Sequence, residues 1–427
     1  MRKSSGFCLF VIASVFPPQL TAQLPPALAN DTEFDGGSGI QRDALEDRQI
    51  SSLTLLGKVW GFLKYHHPAI TSGTRHWDYE LFRVMARILP VDDRTQAQRI
   101  LAEWIDSLGP VPECTECATL DTSRLQHAPQ LDWLADESWL GAELSQKLLA
   151  IHRNRPAGGE SFYVSRPAGS LTLRFDNELP YATVPLPDTG YQLLALFRYW
   201  NIVEYFHPHR DNLALDPAAQ TAYWDEVLVE GISSVGLPRS REEFQRALLR
   251  FVVRANETHA NLANASAIRP PAGPCQFGVS FRWVDDAAVV DRLITRDGQP
   301  VLALNIGHVV KEMSNVPLTQ LFADMAPYYS GSSEVGRRRE ILRDFSRGAC
   351  DGTLVQMFGS NGTSPFWPAT RRVAASAIDS SLLSRHDLAG DAFQRLTPDV
   401  AYLKLSNADT SRMRTYVEAA ATAKSWI

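Results

Sequence analysis

WGFLKYHHPAI at residues 60–70 and WNIVEYFHPHR at residues 200–210 are two versions of one aromatic pattern in a single chain. The positions that agree at an offset of 140 residues are Leu56, Trp60, Tyr65, His67 and Pro68, with Leu196, Trp200, Tyr205, His207 and Pro208 as their equivalents. Further on the offset becomes 147, and Trp77-Asp78, Leu81, Gln98-Arg99 and Leu101 agree with Trp224-Asp225, Leu228, Gln245-Arg246 and Leu248. This self-similarity predicts two duplicated helical units, at roughly 53–108 and 191–255.

Each copy has the spacing of an amphipathic helix. Leu56, Trp60 and Leu63 fall at i, i+4 and i+7, and the second copy repeats the spacing. His-Pro should end each helix, because proline lacks a backbone donor and disfavours helical geometry in the preceding residue. Capping boxes are expected to open a later helix in each copy, from Asp93 to Gln96 and from Ser240 to Glu243.

The repeated histidines are interpreted as structural. An imidazole at a helix C-terminus is favoured by the helix dipole and can bond free carbonyls, whereas a metal site needs several convergent ligands. His66, His67, His207 and His209 offer only two per helix end. NETHANL at residues 256–262 is present in the second copy alone, and the role of His259 stays open between a functional loop and a helix end.

Composition limits the classes of function. The 427 residues carry a net charge of -6 with 44% hydrophobic and 21% charged residues, which indicates a globular protein of several domains. A nucleic-acid partner is not expected, because phosphate binding needs a basic surface. Glu334 and Glu340 partly balance the positive charge of the run Arg337–Arg339, which is interpreted as a solvated helix face.

The N-terminus predicts export. Arg2 and Lys3 precede an apolar stretch from residue 7 to residue 16, and Ala22 offers a cleavage site, so residues 1–22 are read as a signal peptide. The apolar stretch is shorter than the about 20 residues of a transmembrane helix, so no membrane span is expected after its removal. The mature protein should be periplasmic or extracellular.

The cysteines that remain after export are expected to form disulfides. They are Cys114, Cys117, Cys275 and Cys350. Three pairings are possible in an oxidising compartment, and Cys114 with Cys117 and Cys275 with Cys350 is favoured, because each pair closes one structural unit. A zinc site at the first two cysteines would need a second ligand pair nearby, so neither a metal nor a cofactor is expected.

The chain is expected to be an α+β protein with several domains. The predicted segments after the signal peptide are a first helical unit at 45–152, a connector of short strands at 153–190, a second helical unit at 191–268, a β module at 272–372 and a further unit that begins at 398–427. Turn dipeptides at 297–298 and 361–362 support the β module, and a helix is expected at Leu318–Met325.

The second half of the chain resembles a known family. GHVVKEMSNVPL at residues 307–318 resembles the strand pair and turn of a PDZ-like domain. The order of the signal peptide, the helical motifs, this module and residues 400–427 resembles the exported bacterial proteins of the carboxyl-terminal processing serine peptidase family. Residues 400–427 are similar to the opening of that family's catalytic domain: a strand at Val400–Leu405, a helix at Thr410–Ala423 and a strand from Ser425.

The resemblance implies an exported serine peptidase that hydrolyses peptide bonds in protein substrates. A serine hydroxyl beside a lysine or histidine base would carry the reaction, together with an oxyanion site of backbone donors. In the family that serine lies beyond residue 427, so no catalytic residue is assigned here, and Lys404 and Lys424 are expected on solvated faces. The alternative is an exported protein that binds peptide or protein without hydrolysis.

The resemblance also implies a polypeptide-binding loop in the β module. Phe277, Gly278 and Val279, within QFGVSF at 276–281, are the candidates, because backbone donors there could take a peptide carboxylate while the peptide adds a strand beside them. The competing interpretation is that Phe277, Val279 and Phe281 are alternate core positions of an edge strand.

Overall fold

The chain combines helical and sheet regions, as an α+β protein does. The computed structural model describes residues 25–114, 130–155, 161–170, 172–184, 186–271, 273–296, 304–352, 355–360, 365–366, 369–379, 388, 390–405 and 408–427. The predicted signal peptide, Cys117 and both turn dipeptides lie outside these ranges. None of the helices in these ranges has the length and apolar character that crossing a bilayer requires.

The region up to residue 268 is mainly helical and surrounds one hydrophobic core. Its helices are α1 (Pro26–Asn30), α2 (Asp47–His66), α3 (Pro68–Thr71), α4 (Trp77–Ile88), α5 (Arg94–Ser107), α6 (Glu137–Leu140), α7 (Ala142–Arg153), α8 (Thr189–Phe206), α9 (Gln220–Gly236), α10 (Arg241–Val252) and α11 (Ala265–Ile268). In the connector only two short strands pair, β1 (Val164–Ser165) with β2 (Arg174–Phe175). The rest of its predicted strands do not form within the described residues, because turn residues interrupt each apolar run.

The expected helix starts are largely present. Ser240 and Glu243 form the reciprocal capping box of α10, while Asp93 caps α5 by accepting from the backbone N–H of Gln96 at 2.7 Å. A further capping box, formed by Glu46 and Gln49, opens α2 and was not anticipated. These caps satisfy backbone donors that the first helical turn leaves without partners.

A matching pair of buried tryptophans stands in each repeat. Trp60 Nε1 donates to the carbonyl of Trp77 at 3.0 Å, and Trp77 Nε1 donates back to the carbonyl of Trp60 at 3.1 Å. Trp200 and Trp224 exchange the same two bonds at 2.7 and 3.2 Å. The ring centroids are 6.5 Å apart in the first pair and 6.4 Å in the second, with nearly parallel planes. The same contact therefore joins α2 to α4 and α8 to α9.

Helices α2 and α8 approach each other closely, and equivalent positions meet. At the offset of 140, Gly57 corresponds to Phe197 and Gly61 to Asn201. A Cβ atom on Gly61 would lie 1.8 Å from Asn201 Oδ1, and one on Gly57 would lie 2.6 Å from the Phe197 ring. Tyr65 contacts its own equivalent with ring centroids 5.6 Å apart. Contact between equivalent positions is the geometry of a twofold interface.

Two ion pairs connect the repeats in a reciprocal way. Lys58 corresponds to Arg198 at the first offset, and Asp78 corresponds to Asp225 at the second. Lys58 Nζ lies 2.9 Å from Asp225 Oδ1, while Arg198 pairs with Asp78. Each basic residue thus reaches the acidic residue of the other copy. The environments differ, because the Asp225 side chain is 46% exposed and that of Asp78 only 2%.

The β module follows from residue 273 onward. Its strands are β3 (Cys275–Gln276), β4 (Val279–Val284), β5 (Ala287–Leu293), β6 (Val309–Met313), β7 (Val316–Pro317), β8 (Val355–Ser360), β9 (Pro365–Phe366), β10 (Ala369–Thr370) and β11 (Val373–Ala374). The main sheet has the order β10-β8-β6-β5-β4, with β7 beside β6 and β9 beside β8. Its helices are α12 (Leu318–Met325), with the bounds expected from the sequence, and α13 (Glu334–Asp344).

Local turn chemistry and a disulfide shape this module. Asp285 and Asp286 between β4 and β5 both have positive φ, as do Ser314 and Asn315 between β6 and β7. Two successive positive φ angles are typical of the two-residue turns whose twist matches a hairpin. Cys275 is joined to Cys350, with Cα atoms 5.2 Å apart, which is the pairing favoured from the sequence.

The last described segment is a small βαβ unit. β12 (Phe393–Thr397) pairs antiparallel with β13 (Val400–Leu403), which pairs parallel with β14 (Ser425–Trp426), and α14 (Met413–Ala419) lies between β13 and β14 in the chain. Strand β13 is shorter than the predicted Val400–Leu405. The helix is also shorter than the predicted Thr410–Ala423, since a 3-10 turn precedes it and turns follow it.

The two reciprocal ion pairs predict unequal effects of matched substitutions. Asp78→Asn should lower the free energy of unfolding by about 3–5 kcal/mol, because it removes a buried acidic partner of Arg198 and leaves Glu178 to be shared between Arg198 and Lys64. Asp225→Asn, at the equivalent position, should cost at most about 1 kcal/mol, because the Asp225 carboxylate is 46% exposed and solvent screens its interaction with the buried Lys58. Urea unfolding followed by tryptophan fluorescence measures both. Equal losses would contradict the assignment of different burial to the two pairs.

Candidate functional site

The candidate site is a groove between strand β4 and helix α13. Its walls are formed by three residues of the strand and by four residues in and just after the helix. They are Val279, Ser280 and Phe281 on the strand side, and Arg339, Leu342, Arg343 and Ser346 on the helix side. The groove therefore runs along the edge of the main sheet.

Strand β4 has one free side among the described residues, since its only strand partner there is β5. Phe281 lies opposite Val290 in this ladder. The N–H of Val290 donates to His308 O at 2.8 Å, and its carbonyl accepts from Gly307 N at 2.8 Å, so both groups of Val290 face β6. The N–H and carbonyl of Phe281 consequently point away from β5, as do those of Trp283 two residues later. The free edge offers backbone groups to another strand.

Helix α13 presents a regular stripe to this edge. The side chain of Ser333 caps the helix by accepting from Gly336 N at 3.1 Å. Arg339, Leu342, Arg343 and Ser346 then recur at i, i+3, i+4 and i+7, which places them on one face.

The helix and the strand run in opposite directions. Phe281 contacts Phe345, just after the helix, with ring centroids 4.7 Å apart, whereas Arg338 lies 5.0 Å from the ring of Trp283, further along the strand. The two elements therefore lie side by side over their length, as a helix and an edge strand must to form a groove.

The groove is narrow in this conformation. Its enclosed volume is about 30 Å³, close to the share of one water molecule in the liquid. An apolar side chain of a ligand is much larger than this. Binding of a peptide side chain at this point therefore requires α13 to move away from β4.

The structure places the sequence-predicted residues in the core next to the groove. Phe277 is fully buried, with the Arg372 guanidinium 5.2 Å from its ring, and Val279 is buried as well. The carbonyl of Gly278 accepts from Ile294 N at 2.9 Å. The side chains of Phe277 and Val279 thus belong to the core of the module, as the competing interpretation holds, and backbone groups are what this segment can offer a ligand.

The sequence pattern does not identify helix α13 as part of a site. Its arginine run was interpreted as a solvated face, and ion pairs with Glu334 and Glu340 do form. The same helix also supplies one wall of the groove. The signal in the sequence was Leu342, an apolar residue one turn after Arg338 and Arg339 in an otherwise charged helix.

The loop 256–262 joins the helical region to the base of α13. The Arg337 guanidinium donates to Asn256 Oδ1 at 3.2 Å, and Ser330 Oγ donates to the carbonyl of Glu257. The hydroxyls of Thr258 and Ser332 lie 3.3 Å apart. This loop, which only the second repeat carries, therefore anchors the segment that leads into α13.

His259 points away from this joint. Its Nδ1 lies 2.7 Å from Glu257 Oε1, its backbone N–H donates to the same carboxylate at 2.8 Å, and its side chain is 61% exposed. Among the described residues, no group of three or more His, Cys, Asp and Glu side chains could hold a metal ion. The contact between Glu257 and His259, two residues apart, is a local turn contact. The role of His259 therefore stays open between a functional loop and a helix end.

His67 and His207 are neutral caps, which corrects the helix-dipole interaction expected of them. His67 Nδ1 accepts from Ala69 N at 3.2 Å, and His207 Nδ1 accepts from His209 N at 3.2 Å. Burial lowers the pKa of His67 to about 4 and also lowers the pKa of His207. Only His66 bonds a helix carbonyl, that of Phe62 at 2.8 Å. A neutral imidazole gains nothing from the helix dipole. The histidine recurs in both copies because it caps the turn that follows the helix.

A second concentration of charge lies between α2 and α8 but is closed to ligands. Lys64 is fully buried and pairs with Glu178, whose other oxygen lies 2.8 Å from Arg198 Nε. Tyr181 Oη donates to Asp78 at 2.6 Å. Burial lowers the pKa of Lys64 against the opposing effect of Glu178. These groups form ion pairs with one another inside the core, which indicates a structural network, although Asp78 Oδ1 has no hydrogen-bond partner among the described residues.

A further surface depression, of about 910 Å³, lies between α1 and the start of α4. It is wide open, and its charged groups already have partners within the protein. Arg75 donates to Ser107 O at 2.9 Å, and Glu80 pairs with Arg83 at 2.9 Å. The groove at β4, although smaller, is the better candidate because it combines free backbone groups with a helical wall.

Comparison of the chain with protein-family models and with curated proteins finds no match. The described serine hydroxyls bond to backbone carbonyls, carboxylates and other hydroxyls, for example Ser145 to Leu134 O and Ser38 to Asp188. Within the described part of the chain, none is hydrogen-bonded to a lysine or histidine base.

The buried caps predict a pH dependence of stability. His67 has a folded pKa of about 4, below its unfolded value of about 6.5. The unfolded chain therefore binds more protons between these values, and the stabilisation, complete above pH 6.5, is lost as the pH falls to 4. His67→Asn keeps a side-chain acceptor but does not titrate, so its urea midpoint should fall less between pH 7 and pH 4.5. An unchanged pH slope would contradict the assignment.

Proposed function

We propose that this chain is the polypeptide-binding portion of an exported serine peptidase similar to the carboxyl-terminal processing family. In this proposal, a segment of substrate adds as a strand to β4 and lies against α13. The single observation that carries the proposal is the free edge of β4, with the backbone groups of Phe281 and Trp283 directed toward the groove. Strand addition supplies affinity through such main-chain hydrogen bonds.

The module at residues 272–372 is proposed to be PDZ-like. Three features support this: an edge strand beside a helix, a disulfide-closed unit, and a strand pair with a tight turn at Val309–Pro317 followed by α12. Peptide recognition by PDZ domains uses the same pairing of an edge strand and a helix. This agreement is architectural, and the affinity and ligand must be measured.

The helical region is proposed to be a tandem duplication folded about a pseudo-twofold axis. The matching tryptophan pairs, the contacts between equivalent positions and the reciprocal ion pairs support this proposal. Its role in the proposed function is to hold the β module, through the loop 256–262. The proposed catalytic hydroxyl is not assigned to any residue of this chain.

The alternative function is recognition of polypeptide without hydrolysis. It is favoured by the described serines, which have no lysine or histidine partner. Incubation of the protein purified from its natural source with a labelled peptide pool, followed by mass spectrometry, separates the two. Peptide cleavage supports the peptidase, and binding without cleavage supports the alternative.

Hydrogen–deuterium exchange tests the groove directly. A pool of random decapeptides with free C-termini, added in excess, should slow exchange at residues 279–284, since backbone N–H groups that join a ladder are protected. Protection confined to other segments, or none, would overturn the proposed function.

A matched pair of substitutions should separate the loss of a side chain from the loss of a backbone donor. Trp283→Ala and Trp283→Pro both remove the ring, which contacts Phe322 at 4.6 Å between centroids. Only proline also removes the N–H that faces the free edge, and an edge strand tolerates proline at such a position. Trp283→Pro should bind the peptide pool about tenfold more weakly than Trp283→Ala, the value of one hydrogen bond, in fluorescence anisotropy titrations. Equal affinities, with both variants folded by circular dichroism, would exclude a ladder at this residue.

A further inference from the structure

The helical wall of the groove is basic in an acidic protein. The chain has a net charge of -6, yet α13 carries four arginines between residues 337 and 343. Two of them, Arg339 and Arg343, line the groove, with side chains 51% and 35% exposed. Both therefore reach solvent as well as the groove.

One carboxylate serves these two guanidinium groups. Glu340 lies 3.4 Å from Arg339 and 2.8 Å from Arg343. Two positive charges against one negative charge leave an excess of positive charge at the wall. Partly exposed pairs of this kind contribute only about 0–1 kcal/mol, so a ligand carboxylate can replace Glu340 at low cost.

The spacing of the two arginines matches that of a strand. Arg339 and Arg343 are four residues apart on the helix, and thus about 6 Å apart along its axis. Side chains on the same face of a strand recur every second residue, at about 6.8 Å. Because α13 and β4 lie side by side, a peptide added to β4 also runs along this pair of arginines. Alternate side chains of that peptide would then face Arg339 and Arg343 in turn.

We propose that the groove selects acidic polypeptide segments in which two carboxylates stand at alternate positions, in the order acid-x-acid. The inference rests on the proposed function, because it requires strand addition at β4. Arginine donates to carboxylates through paired, charge-assisted hydrogen bonds, which gives the interaction a geometric preference. Two acids at adjacent positions would point to opposite sides of the strand, and only one could reach the arginines.

Two isomeric peptides test the spacing. Both are fluorescently labelled decapeptides of the same composition with two glutamates, placed as Glu-x-Glu in one and Glu-Glu in the other, and a third peptide has glutamines instead. The Glu-x-Glu peptide should bind about fivefold more tightly than the adjacent isomer at 50 mM salt, from one additional exposed ion pair. The difference should shrink at 500 mM salt because screening shortens the reach of exposed charges.

Charge reversal identifies the residues. Arg339→Glu/Arg343→Glu should lose the preference for Glu-x-Glu and instead favour a fourth peptide, in which both glutamates of Glu-x-Glu are replaced by lysines. The matched control is Arg174→Glu/Arg239→Glu, which makes the same change in net charge at exposed side chains of the helical region and should leave the preference intact. If the reversed variant does not fold by circular dichroism, Arg339→Gln/Arg343→Gln provides the same readout as a loss of preference.

The outcomes separate the inference from the proposed function. Equal binding of the two glutamate isomers and of the glutamine peptide, with the exchange protection at β4 present, overturns the acidic selection alone. Failure of all peptides to bind overturns the proposed function together with the inference. Tighter binding of a single-stranded DNA decamer than of Glu-x-Glu, abolished by Arg339→Glu/Arg343→Glu, assigns the arginines to phosphate and overturns the inference.

Discussion

The close crossing of α2 and α8 is the contact on which the helical region depends. Gly57 and Gly61 stand one turn apart and present bare backbone, against which Phe197 and Asn201 pack. Any larger side chain at Gly61 would collide with the Asn201 amide. The amide is buried and donates to the carbonyls of Gly57 and Phe197 at 3.0 and 2.8 Å. Burial without these bonds would be unfavourable, so the crossing depends on size and polarity together.

The crossing also explains why charged groups lie inside the helical core. Lys58 and Arg198, at equivalent positions on the two helices, each reach across to an aspartate of the other repeat. Burial alone would raise the pKa of Asp78, but Arg198 and Lys64 outweigh it and hold the pKa below its ordinary value. The ionised pair is therefore the resting state, and it connects α8 to α4.

The sequence predicts the helices of the two copies better than it predicts the contacts between those helices. The offsets of 140 and 147 identify the equivalent tryptophans in the two copies. The helix ends are also predictable, because proline affects the backbone of the residues next to it. Periodicity cannot show that Gly61 meets Asn201, since that contact depends on how two distant helices cross. In the same way, the sequence indicates a strand at QFGVSF but not the Arg339 and Arg343 wall beside it, because the neighbour of an edge strand follows from sheet order.

Helix α13 is restrained at both of its ends. Beyond its C-terminal end, the covalent link from Cys350 to Cys275 ties the chain to the strand that precedes β4. Near its N-terminal end, Arg337 and Ser330 bond to the loop of the helical region. The covalent end cannot separate, so widening of the groove has to tilt the helix about that end and strain the bonds at the other. In the proposed function, ligand capture would therefore also strain the hydrogen bonds between the segment that leads into α13 and the loop 256–262.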